Sequence, residues 1–239
     1  MEVSFTVNGR RLVIEVGPDD VLLDTLRDLG FRGVKAGCRT GSCGCCTVLL
    51  NGRPVPSCTM LAVQADGCEI TTIEGLAGEG PDPLQEAFLE HSAAQCAYCM
   101  QGMILSAKAL LDENPRPDDD AIRDAISGNV CRCTGYVKAI DAIRSVAGGS
   151  ATRPAAQGAR SVGTSAPKTE GLGLVSGRAK YTDDFTADGL LYGRILRSPH
   201  AHARIVAIDA SKALALDGVH AVLTHRDVPR VPFTTAGQN

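Results

Sequence analysis

Apolar and polar positions alternate from the first residues of the chain. Val3, Phe5 and Val7 are separated by polar side chains, Asn8-Gly9 follows, and Leu12, Ile14 and Val16 resume the apolar positions. A period of two around Asn-Gly predicts a β-hairpin. VLLDTLRDLG (21–30) reads as a short amphipathic helix ended by Gly30. A loop rich in glycine comes next, with Gly33, Gly37, Gly41 and Gly44 interleaved with cysteines, and TVLLNGRPVPSC (47–58) forms a second hairpin around Asn51-Gly52. The period then changes. PLQEAFLEHSA, GMILSAKALLDEN, DDDAIRDAISG and VKAIDAIRSVA carry apolar residues three and four apart, the mark of four short helices. Pro115 and Pro117 break the chain before the third, where Asp118 to Asp120 place acids at a helix start.

Beyond these helices the pattern fails and then returns. GGSATRPAAQGARSVGTSAPKTEG (148–171) is rich in Gly, Ala, Ser and Pro and lacks periodicity, as a linker does. LLYGRILRS, RIVAIDA and GVHAVLTH then read as strands, and SKALAL as a short helix. The expected division is 1–76, 77–149, a linker over 150–171, and 172–239. Strand, strand, helix, cysteine loop and strand pair is the order of a β-grasp ferredoxin. Four short helices with cysteines in their turns suggest a compact bundle.

Composition narrows the functional classes. The 239 residues are 44% hydrophobic with a formal charge of -3. A mildly acidic chain offers no basic footprint for nucleic acid. Aromatics make up only 4% and Trp is absent, so a base-stacking surface is not expected either. No apolar run approaches the roughly 20 residues of a membrane span, and the N-terminus lacks the layout of an export signal. Ten cysteines in such a chain read as metal ligands rather than disulfides, which implies a cytoplasmic protein.

Eight of these cysteines fall into two sets of four. Cys38, Cys43, Cys46 and Cys58 begin as C-x4-C-x2-C, the spacing of a plant-type [2Fe–2S] site. Such a cluster takes two thiolates per iron and backbone N–H groups turned toward its sulfurs, and glycine permits the close approach this needs. Structural zinc also takes four thiolates, but usually from paired CxxC knuckles. Cys96, Cys99, Cys131 and Cys133 are a CxxC and a distant CxC, which alone suit zinc or iron–sulfur about equally. Two cluster sites on one chain would make an electron relay. Cys45 and Cys68 are left over, and both read as small buried hydrophobes. The five histidines, including His200 and His202, are assigned no ligand role.

VKAGCRTGSCGCCTVLLNG, QCAYCMQGM and GNVCRCTGY resemble the iron–sulfur signatures of the molybdenum hydroxylases, the xanthine dehydrogenase and aldehyde oxidase family. That likeness spans residues 1 to about 147. SGRAKYTDDF, RSPHAHARIVAIDAS and GVHAVLTHRDVP are similar to the opening of that family's molybdopterin-binding subunit, its small α/β hammerhead domain. The resemblance implies an α+β chain: a β-grasp [2Fe–2S] domain, a four-helix-bundle [2Fe–2S] domain, a linker and a partial hammerhead domain. It implies two [2Fe–2S] clusters here, with Mo-molybdopterin and FAD on partner chains: a molybdopterin-binding large subunit and an FAD-binding subunit, in a higher-order hetero-oligomer. Electrons would pass from the Mo–pterin centre through the helical-domain cluster, then the ferredoxin-like cluster, to FAD. By the same likeness Gln95 and Cys133 approach the pterin. TTAGQ near the end resembles purine-oxidising members, so a purine or another N-heterocycle is the expected substrate.

Two departures stand out. Ala97 occupies a position where the family usually has Gly, and Met100-Gln101 replace a commoner Thr-Pro. Alanine forbids little at negative φ, so a local adjustment is expected. The sequence also stops before the family's molybdenum-contacting loops and catalytic glutamate, so no residue here is a catalytic candidate. The competing readings are a stand-alone two-cluster ferredoxin-like carrier and a zinc-binding scaffold module.

Overall fold

The computed structural model describes residues 1–77, 80–148 and 168–231. These residues divide into two compact units, Met1–Ala187 and Asp188–Asn239.

The first unit opens with the expected hairpin. β1 (Glu2–Val7) and β2 (Arg10–Glu15) are antiparallel, pairing Val3 with Ile14 and Phe5 with Leu12. Asn8 and Gly9 both take positive φ, 51° and 78°, as a two-residue turn matching strand twist requires. The second Asn-Gly turn joins β3 (Thr47–Leu50) to β4 (Arg53–Pro56) in the same way. β5 (Glu69–Thr71) closes the sheet, parallel to β1 and antiparallel to β3, in the order β2-β1-β5-β3-β4. α1 (Leu22–Asp28) buries Leu22, Leu23 and Leu26 against the same core as Val3, Phe5 and Val7. Burying each such side chain contributes roughly 1.5–3 kcal/mol.

The four expected helices form as α2 (Pro83–Glu90), α3 (Met100–Glu113), α4 (Asp119–Ala125) and α5 (Val137–Ala147). Acids cap the starts of α2 and α4. The Asp82 carboxylate accepts from the Leu84 amide at 2.8 Å, and Asp118 accepts from Ala121 at 2.8 Å. Asp119 also pairs with Arg144 of α5 at 2.7 Å, both side chains remaining exposed. Leu84, Phe88, Met103, Ile104, Ile140 and Ile143 make the bundle core.

That core continues into α6 (Gly171–Val175), whose Leu174 and Val175 are buried within it. Gln85 donates to the Val175 carbonyl at 3.1 Å and Gln101 to the Leu174 carbonyl at 2.8 Å. Residues 168–187 therefore belong to the same unit as the cysteine domains. Most of the expected linker, 149–167, lies outside the described residues, as does TTAGQ.

The second unit departs from the strands expected in the tail. Of its expected elements only the short helix forms, as α7 (Ser211–Leu214). LLYGRILRS, RIVAIDA and GVHAVLTH pair with nothing as strands among the described residues. Tyr192 and Leu196 are 93% and 99% exposed, so apolar alternation here finds no face to bury. A strand is held by its ladder partner and the surface it covers, not by its own pattern.

Candidate functional site

Two cysteine loops meet inside the first unit. Residues 33–46 connect α1 to β3. Its glycine content answers a steric demand: a Cβ on Gly37 would lie 2.7 Å from the Cys43 Sγ. The backbone turns its amides inward. Thr40 and Ser42 N–H both donate to the Cys38 Sγ at 3.3 Å, Cys38 N–H to the Cys43 Sγ at 3.3 Å, and Gly41 N–H to the Cys58 Sγ at 3.3 Å. Four amides aimed at sulfur suit thiolates that share negative charge with a cluster.

The thiols come in pairs. Cys38 and Cys43 form a half-buried pair linked by a sulfur hydrogen bond, and Cys46 and Cys58 a buried one. At the second site Cys99 and Cys131 pair inside, while the Cys96 and Cys133 Sγ atoms lie 3.5 Å apart at the surface. Among the described residues no three His, Cys, Asp or Glu side chains gather around one point as a single ion requires. Two thiols per iron is the demand of a two-iron cluster, so the donor set fits it.

The thiols differ in acidity. Hydrogen bonds from Thr40 and Cys43 lower the Cys38 pKa to about 6. Burial raises that of Cys46 to about 11 and pushes Cys99 up as well. The Cys133 thiol is raised chiefly by its hydrogen bond with Cys96. Metal loading must drive the protons off the buried thiols.

Consecutive cysteines serve different surroundings. Cys46 packs into the sheet core with Cys58, whereas Cys45 packs into the bundle core with Cys99 and Ala97. Cys45 is a buried thiol whose pKa is raised by burial to about 12, as expected for a small hydrophobe. Cys68 is only partly buried, against the expectation of burial, while its carbonyl accepts from the Thr6 amide at 2.9 Å.

The second loop corrects one expectation. Ala97 takes φ +62°, the left-handed region where alanine is strained and glycine is not. The turn between Cys96 and Cys99 requires that backbone whichever residue occupies it. Gln101, in contrast, has a use that Pro could not fill, since its amide side chain holds the Leu174 carbonyl. Gln95 is exposed, and its carbonyl accepts from the Lys168 ammonium at 2.6 Å.

A group the sequence did not reveal sits between the loops. Asp184 accepts from Arg27 at 2.8 Å and from Lys35 at 3.2 Å, with Lys35 and Asp184 side chains 1% and 3% exposed. The Lys35 ammonium also lies 4.5 Å from the Tyr181 ring centroid. Tyr181 donates its hydroxyl to the Cys96 carbonyl at 2.6 Å, and Tyr98, edge-on to it, donates to the Ala36 carbonyl at 2.8 Å. Nothing local in VKAGC or YTDDF marks these residues as partners.

Fold and site together define a two-centre iron–sulfur protein, and comparison with known proteins places that class. Family descriptions match in three consecutive blocks: 2Fe-2S iron-sulfur cluster binding domain over 5–71, [2Fe-2S] binding domain over 72–144, and aldehyde oxidase and xanthine dehydrogenase, a/b hammerhead domain, over 176–239. The nicotinate dehydrogenase small FeS subunit of Eubacterium barkeri is 54% identical over 144 residues, covering 59% of this chain and 92% of that subunit. The aldehyde oxidoreductase of Megalodesulfovibrio gigas is 39% identical over 239 residues, covering 93% of this chain and 26% of that protein. The crystal structure of the aldehyde oxidoreductase from Desulfovibrio desulfuricans superimposes with a TM-score of 0.82 at 36% identity, over 95% of this chain and 27% of that one. The chain belongs to the molybdenum hydroxylase family of xanthine dehydrogenases and aldehyde oxidases, as its iron–sulfur component. It spans nearly all of a small FeS subunit and about a quarter of the aldehyde oxidoreductases. Among the described residues no helix is long and apolar enough to cross a membrane.

Proposed function

We propose that this chain relays electrons from a Mo–pterin centre on a large partner subunit to FAD on another, within a higher-order hetero-oligomer. Cys38, Cys43, Cys46 and Cys58 hold one [2Fe–2S] cluster; Cys96, Cys99, Cys131 and Cys133 hold the second. Each cluster, when bound, accepts and releases one electron at a time. The single observation that carries this reading is the arrangement of eight thiols as four pairs, drawn from the 33–46 loop, the turn at Cys58, the turn before α3 and the α4–α5 connection.

The chain's own residues supply the surroundings. Amides of residues 38 and 40–42 stabilise charge on the first site. Each site has an exposed side: Cys96 and Cys133 at one, the loop around Cys38 at the other. Entry and exit therefore need not share a surface. Gln95 and Cys133, both exposed, face the pterin-bearing partner in this reading. The substrate class is an N-heterocycle, a purine first. The N-heterocycle class draws on the name of the nicotinate dehydrogenase relative, and the order within it on the TTAGQ likeness. Ten cysteines, eight of them proposed cluster ligands, suit the reducing cytoplasm.

The test is to purify the native complex through a tag on this chain and quantify Fe, Mo, Zn and flavin. About four Fe per chain with Mo and FAD supports the relay. Iron without Mo or flavin points to a separate carrier, and zinc in place of iron overturns the proposal.

A further inference from the structure

The first cysteine loop touches the α4–α5 connection, which carries Cys131 and Cys133, through the backbone. The Val130 amide donates to the carbonyl of Cys43 at 2.9 Å, so one hydrogen bond joins a cysteine of the first site to the residue preceding Cys131 of the second. Next to it, the Asn129 side-chain amide donates to the Gly44 carbonyl at 3.0 Å, and the Thr47 hydroxyl donates to the same oxygen at 2.8 Å. Asn129 is only 2% exposed. Gly44 takes φ +68°, and a Cβ there would sit 2.6 Å from the Asn129 Nδ2. Gly102 of α3 admits the same carbonyl, for a Cβ on it would collide with the Gly44 oxygen. A buried amide, a hydroxyl and two glycines thus fix one peptide of the first loop against the α4–α5 connection.

We propose that Asn129 is a positioning residue that sets the separation of the two iron–sulfur sites, with Thr47 as its support and the Cys43–Val130 hydrogen bond as the connection it protects. This rests on the proposed cluster ligands. The step it serves is a single electron leaving the reduced helical-domain site and reducing the oxidised ferredoxin-like site, with no bond broken and no proton required. The Thr47 amide also donates to this carbonyl at 3.2 Å, so without Asn129 the Gly44 oxygen is held only from its own side, and the side-chain tie across to the α4–α5 connection is lost.

The test uses the full chain with both sites loaded with iron and sulfide and fully reduced. Dipolar splitting between the two paramagnetic clusters in the EPR spectrum reports their separation, and hydrogen exchange reports the Val130 amide. Asn129→Ala should retain its iron, yet lose or shift the splitting and expose Val130 to exchange. Thr47→Val, a milder change, should move both readouts in the same direction, and Thr47→Ser should restore them. A change in stability alone would not alter the splitting. Unchanged splitting and protection in Asn129→Ala and Thr47→Val, with both clusters present, overturns the proposal alone. If Asn129→Ala does not load, Thr47→Val and its Ser rescue decide the matter. A wild-type chain without two reducible iron–sulfur signals overturns the ligand assignment and this proposal together.

Discussion

Replacing Asp184 with Ala should be the most damaging single change outside the cysteines. The Asp184 carboxylate accepts from Arg27, from Lys35 and, at 2.9 Å, from the Tyr181 amide. Lys35 is 1% exposed, so water cannot replace the lost partner. Breaking a buried ion pair by removing one member costs about 3–5 kcal/mol, because the other charge stays buried alone. At a urea slope of about 2 kcal/mol per molar, the unfolding midpoint should fall by about 2 M. The assay is urea denaturation followed by circular dichroism. Lys35→Met combined with Asp184→Ala should cost less than the sum of the two single changes, since the double variant leaves no ammonium stranded. A midpoint shift below about 0.5 M for Asp184→Ala would refute the reasoning, because it is the size expected of an exposed pair.

The same carboxylate sets a pH dependence. Burial alone would raise the Asp184 pKa, but the Tyr181 amide, Arg27 and Lys35 hold it below its ordinary value. Its stabilisation is therefore fully present above the unfolded carboxylate pKa of about 3.9 and is lost as pH falls through the lower folded value. Urea midpoints taken from neutral pH down into that acid range should show the loss, and Asp184→Ala should flatten it. Ala97→Gly should raise stability by about 1 kcal/mol by relieving the backbone at φ +62°, measured as an increased midpoint. Gly37→Ala should remove iron from the first site alone, since the added Cβ meets the Cys43 Sγ at 2.7 Å. Iron should fall by about half with the second site's EPR signal retained.

Local patterns were legible where local forces decide. Asn8-Gly9 and Asn51-Gly52 marked both hairpins because few other pairs accept positive φ twice. α5 follows its periodicity from Val137 to Ala147. Cysteine spacing singled out eight thiols that the fold then brings together in pairs. What sequence could not carry is long-range. Lys35 and Asp184 are 149 positions apart, and neither stretch hints at a buried charge. The strain at Ala97 belongs to the turn, not to the residue, so residue preference pointed the wrong way. In the tail, alternation in RIVAIDA was a real strand pattern with no neighbour to pair with among the described residues. Asn129 gave no signal either, because its worth lies in one carbonyl on another loop.

Iron content and EPR spectra of the reduced chain, compared with those of Cys43→Ser and Cys131→Ser, test the central claim most directly. The account predicts about four Fe in the unaltered chain and two distinct [2Fe–2S] signals. Cys43→Ser should abolish one signal and Cys131→Ser the other. Zinc at either set of cysteines, or a single signal unaffected by one of these substitutions, would contradict it.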